Sequence, residues 1–173
     1  MRKLSFSLLT VTVLLAGSTH KLIAQQKIGC INSNELITLM PENDSAIKVI
    51  EKRQLEFVKQ SEELQVEFNK KYAVFTSSMD TLPLLIRNAK QEELGNMSTS
   101  IDNFNKAAVQ ELNNYRQETY QPILEKAQNA ISEVANEEGF TYIIDIATRS
   151  LIFFPEEAPL NIMEAVKTKL GIE

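Results

Sequence analysis

Cys30 is the one thiol of this 173-residue chain and His20 its one imidazole, so reactive side-chain chemistry would have to start from them. A thiol or hydroxyl becomes a nucleophile when a base or cation activates it, and the usual base is histidine. His20 falls in a segment expected to be removed on export. The mature chain then has no imidazole, and zinc sites of the His/Cys kind cannot form. The glycines stand alone at 17, 29, 95, 139 and 171, so no glycine-rich phosphate loop is present. The carboxylates are numerous but spread singly along helical sequence, as on a solvated face. No catalytic residue, metal site or cofactor is expected. One cysteine closes no internal disulfide, and Cys30 reads as a small buried strand residue.

Charge and apolar surface remain as candidate functional chemistry. Lys70, Lys71, Arg87 and Lys90 lie between Asn69 and Gln91 against Asp80 alone. If residues 76–83 form the tip of a helical hairpin, these four cations share one small surface. That surface could meet acidic clients or an anionic membrane surface. An acidic chain without aromatic–basic clusters argues against nucleic acid.

The elements that must carry this surface are mostly helical. Arg2 and Lys3 precede an apolar run from Leu4 to Ala16, 13 residues long. That suits a signal peptide and is short of the roughly 20 residues of a membrane span. Cleavage after Leu22-Ile23-Ala24 assigns residues 1–24 to the leader. A lipid anchor on Cys30 is not expected, because Lys27 holds the place where a lipoprotein signal needs an apolar residue. Removing Arg2, Lys3 and Lys21 leaves 15 basic against 23 acidic residues, net −8.

Residues 25–41 and 139–173 read as a β-rich body and 42–138 as a helical-hairpin arm. Lys27 to Asn32 is the first strand, and Glu35 to Met40 a short helix ended by Pro41. Asn43, Asp44 and Ser45 offer a cap for a long helix to about Ser77, with Ile47, Ile50, Phe57, Leu64, Phe68, Tyr72 and Phe75 as its stripe. Gln54 and Ser61 fill two places of that stripe. Past the break at 76–83, a second stripe steps by three or four from Leu94 through Met97, Ile101, Phe104, Ala108, Leu112, Tyr115, Thr119, Ile123, Ala127 and Ala130 to Val134. Gly139 is the expected helix stop. Pro41 and Pro122 lie at similar distances from the tip and are a candidate hinge. Phe140–Ala147 and Leu151–Phe154 are expected to pair as a hairpin, Pro155–Pro159 to form a loop, and Asn161–Leu170 a last helix stopped by Gly171. Ile28, Cys30, Ile143, Ile144 and Ile146 make the body too apolar to stay open and are the candidate oligomer interface. Leu94, Met97, Ile101 and Phe104 are the candidate client-facing surface of the arm.

The order of these elements resembles the OmpH/Skp family of periplasmic chaperones. The resemblance is carried by Lys27-Ile28-Gly29-Cys30-Ile31-Asn32 with Glu35-Leu36 and by Gln121-Pro122-Ile123-Leu124-Glu125-Lys126-Ala127-Gln128-Asn129-Ala130-Ile131. Further matches are Val134-Ala135-Asn136-Glu137-Glu138-Gly139-Phe140, Ile143-Ile144-Asp145 and Val166-Lys167-Thr168-Lys169-Leu170-Gly171-Ile172. It implies an α+β, mostly α fold and a jellyfish-like homotrimer whose arms surround a cavity. It also implies ATP-independent holding of unfolded outer-membrane or envelope proteins in the periplasm. The chain departs from the family's basic members in being acidic. A structural spacer or adaptor of the envelope is the alternative function for the same architecture.

Overall fold

The computed structural model describes residues 26–148 and 160–172. The elements run β1 (Ile28–Ile31), α1 (Ser33–Leu39), α2 (Pro41–Ser78), α3 (Leu84–Glu137) and β2 (Tyr142–Asp145). A 3-10 turn (Ile146–Thr148), β3 (Leu160–Asn161) and α4 (Met163–Leu170) follow. The fold is mostly helical with one small sheet. The segments expected to be a leader (1–24), a second hairpin limb (Leu151–Phe154) and a loop (Pro155–Pro159) lie outside the described residues.

Local sequence accounts for most helix ends. Asn32 caps α1 by accepting from the Glu35 N–H at 3.2 Å. Pro41 opens α2 at a first-turn position, where a missing N–H costs nothing. The cap expected at Asn43–Ser45 is therefore corrected: the helix already runs there, and Asn43 is buried, accepting from the Tyr120 hydroxyl at 3.3 Å. Gly139 takes φ +71° and ends α3, with the Phe140 N–H donating to the Ala135 carbonyl at 2.9 Å. Gly171, at φ +70°, stops α4 in the same way.

The sheet has the order β2-β1-β3 and is parallel throughout. Ile28 pairs with Tyr142 and Cys30 with Ile144, while Gly29 sits opposite both Ile143 and Leu160. Among the described residues the partner of β2 is thus β1, and the second limb of the expected hairpin lies outside them. β2 pairs with β1 across the whole length of the two long helices, Ile146 lies in the 3-10 turn, and Leu160–Asn161 forms a strand that the sequence reading put at a loop–helix boundary. A parallel pair requires a long crossover. Here α1, α2 and α3 are that crossover, so the sheet joins the two ends of the arm.

The core lies at the root. Ile31, Leu36, Met40, Ala46, Ile123, Ala127, Ala130, Val134, Ile162, Met163 and Val166 form one buried cluster, with Phe140 and Ile143 packed against it. Asp145 fastens the end of β2 to the start of α1. Its carboxylate accepts from Ser33 Oγ at 2.6 Å and from the N–H groups of Ser33 and Ala147 at 3.1 and 2.9 Å. Burial pushes this carboxyl up, but the three donors outweigh it and hold its pKa below the ordinary value.

Candidate functional site

Beyond the root, α2 and α3 extend together. At about 1.5 Å per residue, their 38 and 54 residues reach roughly 57 and 81 Å. Cross-helix partners fall along α3 as they rise along α2. Glu42 meets Lys126, Asn43 meets Tyr120, Gln54 meets Arg116, Ser61 meets Asn105 and Lys71 meets Glu93. Glu42 and Asn43 thus contact residues on both sides of Pro122, so the two prolines stand at one level, as their distances from the tip imply.

The seam uses the α3 stripe named from sequence. Leu94 and Ile101 are buried, Met97 and Phe104 half-buried, and the Phe104 ring meets Phe57 edge-on at 6.4 Å between centroids. These four pack toward α2, and Met97 and Ile101 also line an open groove with Leu64. On α2, Ala46 and Ile50 occupy the seam, while Ile47 and Tyr72 point out, 39% and 53% exposed. At about 100° per residue, Ile47 and Val58 fall roughly a quarter of a turn from the seam, and Leu55 and Val66 nearly half a turn, on the outer side of α2. All four are exposed. The sequence signal for this sparse apolar surface is apolar residues that fit neither the seam nor a polar face.

Val58 belongs to a groove of about 440 Å³ between the helices, lined also by Phe57, Ala108, Val109 and Leu112 with polar Gln54, Ser61, Asn105 and Arg116. The groove lies where packing is thinnest: no residue between Ile50 and Phe75 on α2, or between Ile101 and Ile123 on α3, is fully buried. Arg53 lies over the Tyr115 ring at 5.1 Å and over Phe57 at 5.9 Å, so a cation shares the seam with the aromatics. Such a groove suits shallow, non-specific apolar contact. It lacks the paired acid and base of a reaction site, and among the described residues no three His, Cys, Asp or Glu side chains cluster to hold a metal.

At the tip, Lys70, Lys71 and Lys90 line one cleft with Val74, Phe75, Glu93 and Leu94. Lys71 is bound by Glu93 at 2.6 Å and Glu67 at 3.4 Å, and the Glu93 hydrogen bond holds its ammonium above the ordinary pKa. Glu93 lies just outside the window in which Asp80 was the lone acid, so the patch is less positive than the sequence suggested. Arg87 turns away to the Leu82 carbonyl at 3.3 Å.

In the body, the strand register divides the five candidate interface residues. Ile28, Cys30 and Ile144 share the sheet face away from the core, with Tyr142 beside them. Ile143 points the other way into the root cluster, and Ile146 lies beyond the strand. The two therefore stand apart from the outward sheet face. Ile28 and Tyr142 are 37% and 58% exposed, whereas Cys30 is buried, which pushes its thiol pKa up.

The family model for outer membrane protein (OmpH-like) matches residues 27–170, spanning the sheet, both long helices and α4. The chain belongs to the OmpH-like family. Among solved structures, a candidate outer membrane chaperone (OmpH-like) from Caulobacter crescentus superimposes with a TM-score of 0.69 at 9% identity, over 84% of this chain and 83% of that one. At that identity the likeness concerns the fold. No curated protein matches the chain. The OmpH-like fold explains why the extended helices leave from one small sheet. Among the described residues no helix is long and apolar enough to cross a membrane.

Proposed function

We propose that this OmpH-like protein is an ATP-independent periplasmic holdase that binds unfolded outer-membrane or envelope proteins and prevents their aggregation. The observation that carries this reading is the open mid-arm groove lined by Phe57, Val58, Ala108, Val109 and Leu112, together with exposed Ile47, Leu55 and Val66 elsewhere on α2. Clients differ in sequence, and a set of small separate apolar contacts does not select among them. Its contacts are individually weak and gain strength by number.

The assembly in this proposal is a homotrimer. Its sheet faces, carrying Ile28, Cys30, Ile144 and Tyr142, close against one another, and three antiparallel helical hairpins enclose a cavity. The proline level at Pro41 and Pro122 lets each arm flex at the body. Residues 1–24 direct export. The grooves of the arm are open to solvent, which supports a non-enzymatic role.

The test is aggregation of several unrelated unfolded outer-membrane proteins, followed by light scattering with and without the chain and without nucleotide. Suppression of all of them, lost when Leu55, Val58 and Val66 become Ser, is the expected result. Capture of one defined partner with no general suppression would instead make the protein an envelope adaptor. Sedimentation should give a trimer, and Ile144→Asp should yield monomers or insoluble protein.

A further inference from the structure

The mid-arm groove differs from the seam around it because its two ends carry opposite charge. Gln54 and Arg116 stand at the end nearer the root, and Ser61, Glu62 and Asn105 at the end nearer the tip. Between them lies an apolar floor that includes Phe57, Val58, Val109 and Leu112. Arg116 and Glu62 are the charged residues of the lining, both exposed, and neither forms an ion pair among the described residues. The Arg116 guanidinium donates to the Gln54 amide oxygen at 3.4 Å, a long contact that leaves most of its donors for a ligand.

The helix fixes the distance between these charges. Gln54, level with Arg116, and Glu62 lie eight positions apart on α2, about 12 Å at 1.5 Å per residue. An extended chain rises about 3.3 Å per residue, so its residues i and i+4 are about 13 Å apart, and i+2 falls midway on the same side. A carboxylate at i therefore reaches Arg116 when an ammonium at i+4 reaches Glu62, and the side chain at i+2 comes down over Phe57. The guanidinium can take a carboxylate through two parallel N–H donors. The half-buried Phe57 ring gives an aromatic residue at i+2 ring contact as well as burial. Charges placed side by side in a ligand cannot span the groove.

We propose that the groove prefers extended segments with a carboxylate, an aromatic side chain and an ammonium at positions i, i+2 and i+4. In barrel proteins aromatic residues gather at strand ends, next to polar turns, so segments of this kind belong to the proposed client class. The inference rests on the holdase reading and names which client segments the arm takes first. The apolar floor accepts any chain, and the charged ends set the order of preference. Exposed charges act over about 8 Å at physiological salt, so the preference is modest and falls as salt is added.

Short Gly/Ser peptides carrying a fluorophore are titrated with the chain purified after export, and binding is read by anisotropy. The parent peptide has Asp-Gly-Phe-Gly-Lys at its centre. Replacing its Phe by Ser should weaken binding about 10-fold, and replacing its Asp and Lys by Asn and Gln about 5-fold. A peptide of the same composition with Asp and Lys adjacent should bind like the neutral one. Arg116→Glu puts an acid at each end of the groove, so Lys-Gly-Phe-Gly-Lys should become the preferred peptide; helix content of the variant is checked by circular dichroism. In a second measurement on the unchanged protein, a benzophenone in place of the peptide's Phe should crosslink within 54–62 or 105–116. No measurable binding of the parent peptide, equal binding of the parent, neutral and adjacent-charge peptides, or crosslinks only outside those segments overturns the proposal. Aggregation of unfolded outer-membrane proteins is followed with the same preparation. Suppression without a peptide preference removes this inference alone, whereas a preference without suppression keeps the groove and removes the holdase.

Discussion

The root and the middle of the arm are built from the same kind of helix but held by different means. At the root, Leu36 and Val166 are fully buried, and α1, α3, α4 and the sheet converge on them. In mid-arm only α2 and α3 meet, half-buried Phe57 and Leu112 stand where the root has fully buried side chains, and Ser61 Oγ donates to Asn105 at 2.7 Å across the gap. A helix pair has two layers and cannot close around a side chain as a sheet with three helices can. The body is therefore the stable unit, while the arm is shaped by register and carries surface. Regions with few buried contacts open at low free-energy cost, which suits a surface that must adapt to different chains.

The largest expected effect lies at the root. Leu36→Ala should cost about 2–5 kcal/mol, read as a lowered urea midpoint for the whole protein. A loss below that of any arm variant would break the contrast. Gly29→Ala comes next: an added Cβ would stand 2.8 Å from Ile143 Cδ1 and 2.9 Å from the Phe140 ring. Phe140 is held from outside by Lys27 Nζ, 4.0 Å from its centroid, so it cannot simply move away. The expected cost is about 1–3 kcal/mol by thermal melting.

Asp145 gives the root a pH signature from a part-buried carboxylate, whereas Glu93 at the tip, with its pKa lowered by Lys71, is solvent-exposed. The folded pKa of Asp145 is depressed, so its contribution is complete above the unfolded value of about 3.9 and is lost as pH falls through the folded one. Asp145→Asn should lose about 1–2 kcal/mol at neutral pH, with the difference from the parent shrinking in acid below pH ~4. A difference independent of pH would show that the three donors do not depend on the charge. Mid-arm, Ser61→Ala should change global stability by no more than about 0.5 kcal/mol while speeding amide exchange in the neighbouring turns. Smallest of all is Lys71→Gln at the tip, whose partner is a solvent-exposed carboxylate; its midpoint should not move measurably.

The regions also differ in how far they could be read in advance. Every member of the α3 stripe from Leu94 to Val134 is buried or half-buried, because a period of three and four states directly which side of a helix turns inward. The α2 stripe was read less well. Its apolar residues are sparse, so Ile47 and Tyr72 were assigned to a seam that Ala46 in fact occupies. Leu94, Met97, Ile101 and Phe104 pack toward α2 while Met97 and Ile101 also border an open groove, because a periodic stripe reports burial without saying whether a neighbouring helix or a client provides it.

The sequence by itself determined the two long helices, the turn between them, the glycine stops at 139 and 171, and the family. These depend on neighbours within a few residues, where backbone and side-chain preferences act directly. The tertiary structure alone decided that β1 pairs in parallel with β2 more than a hundred residues away, that Ile143 turns to the core while Ile144 turns outward, and that Glu93 reaches Lys71. Those choices rest on hydrogen bonds and contacts between distant segments, where a shift of one residue exchanges the two faces of a strand.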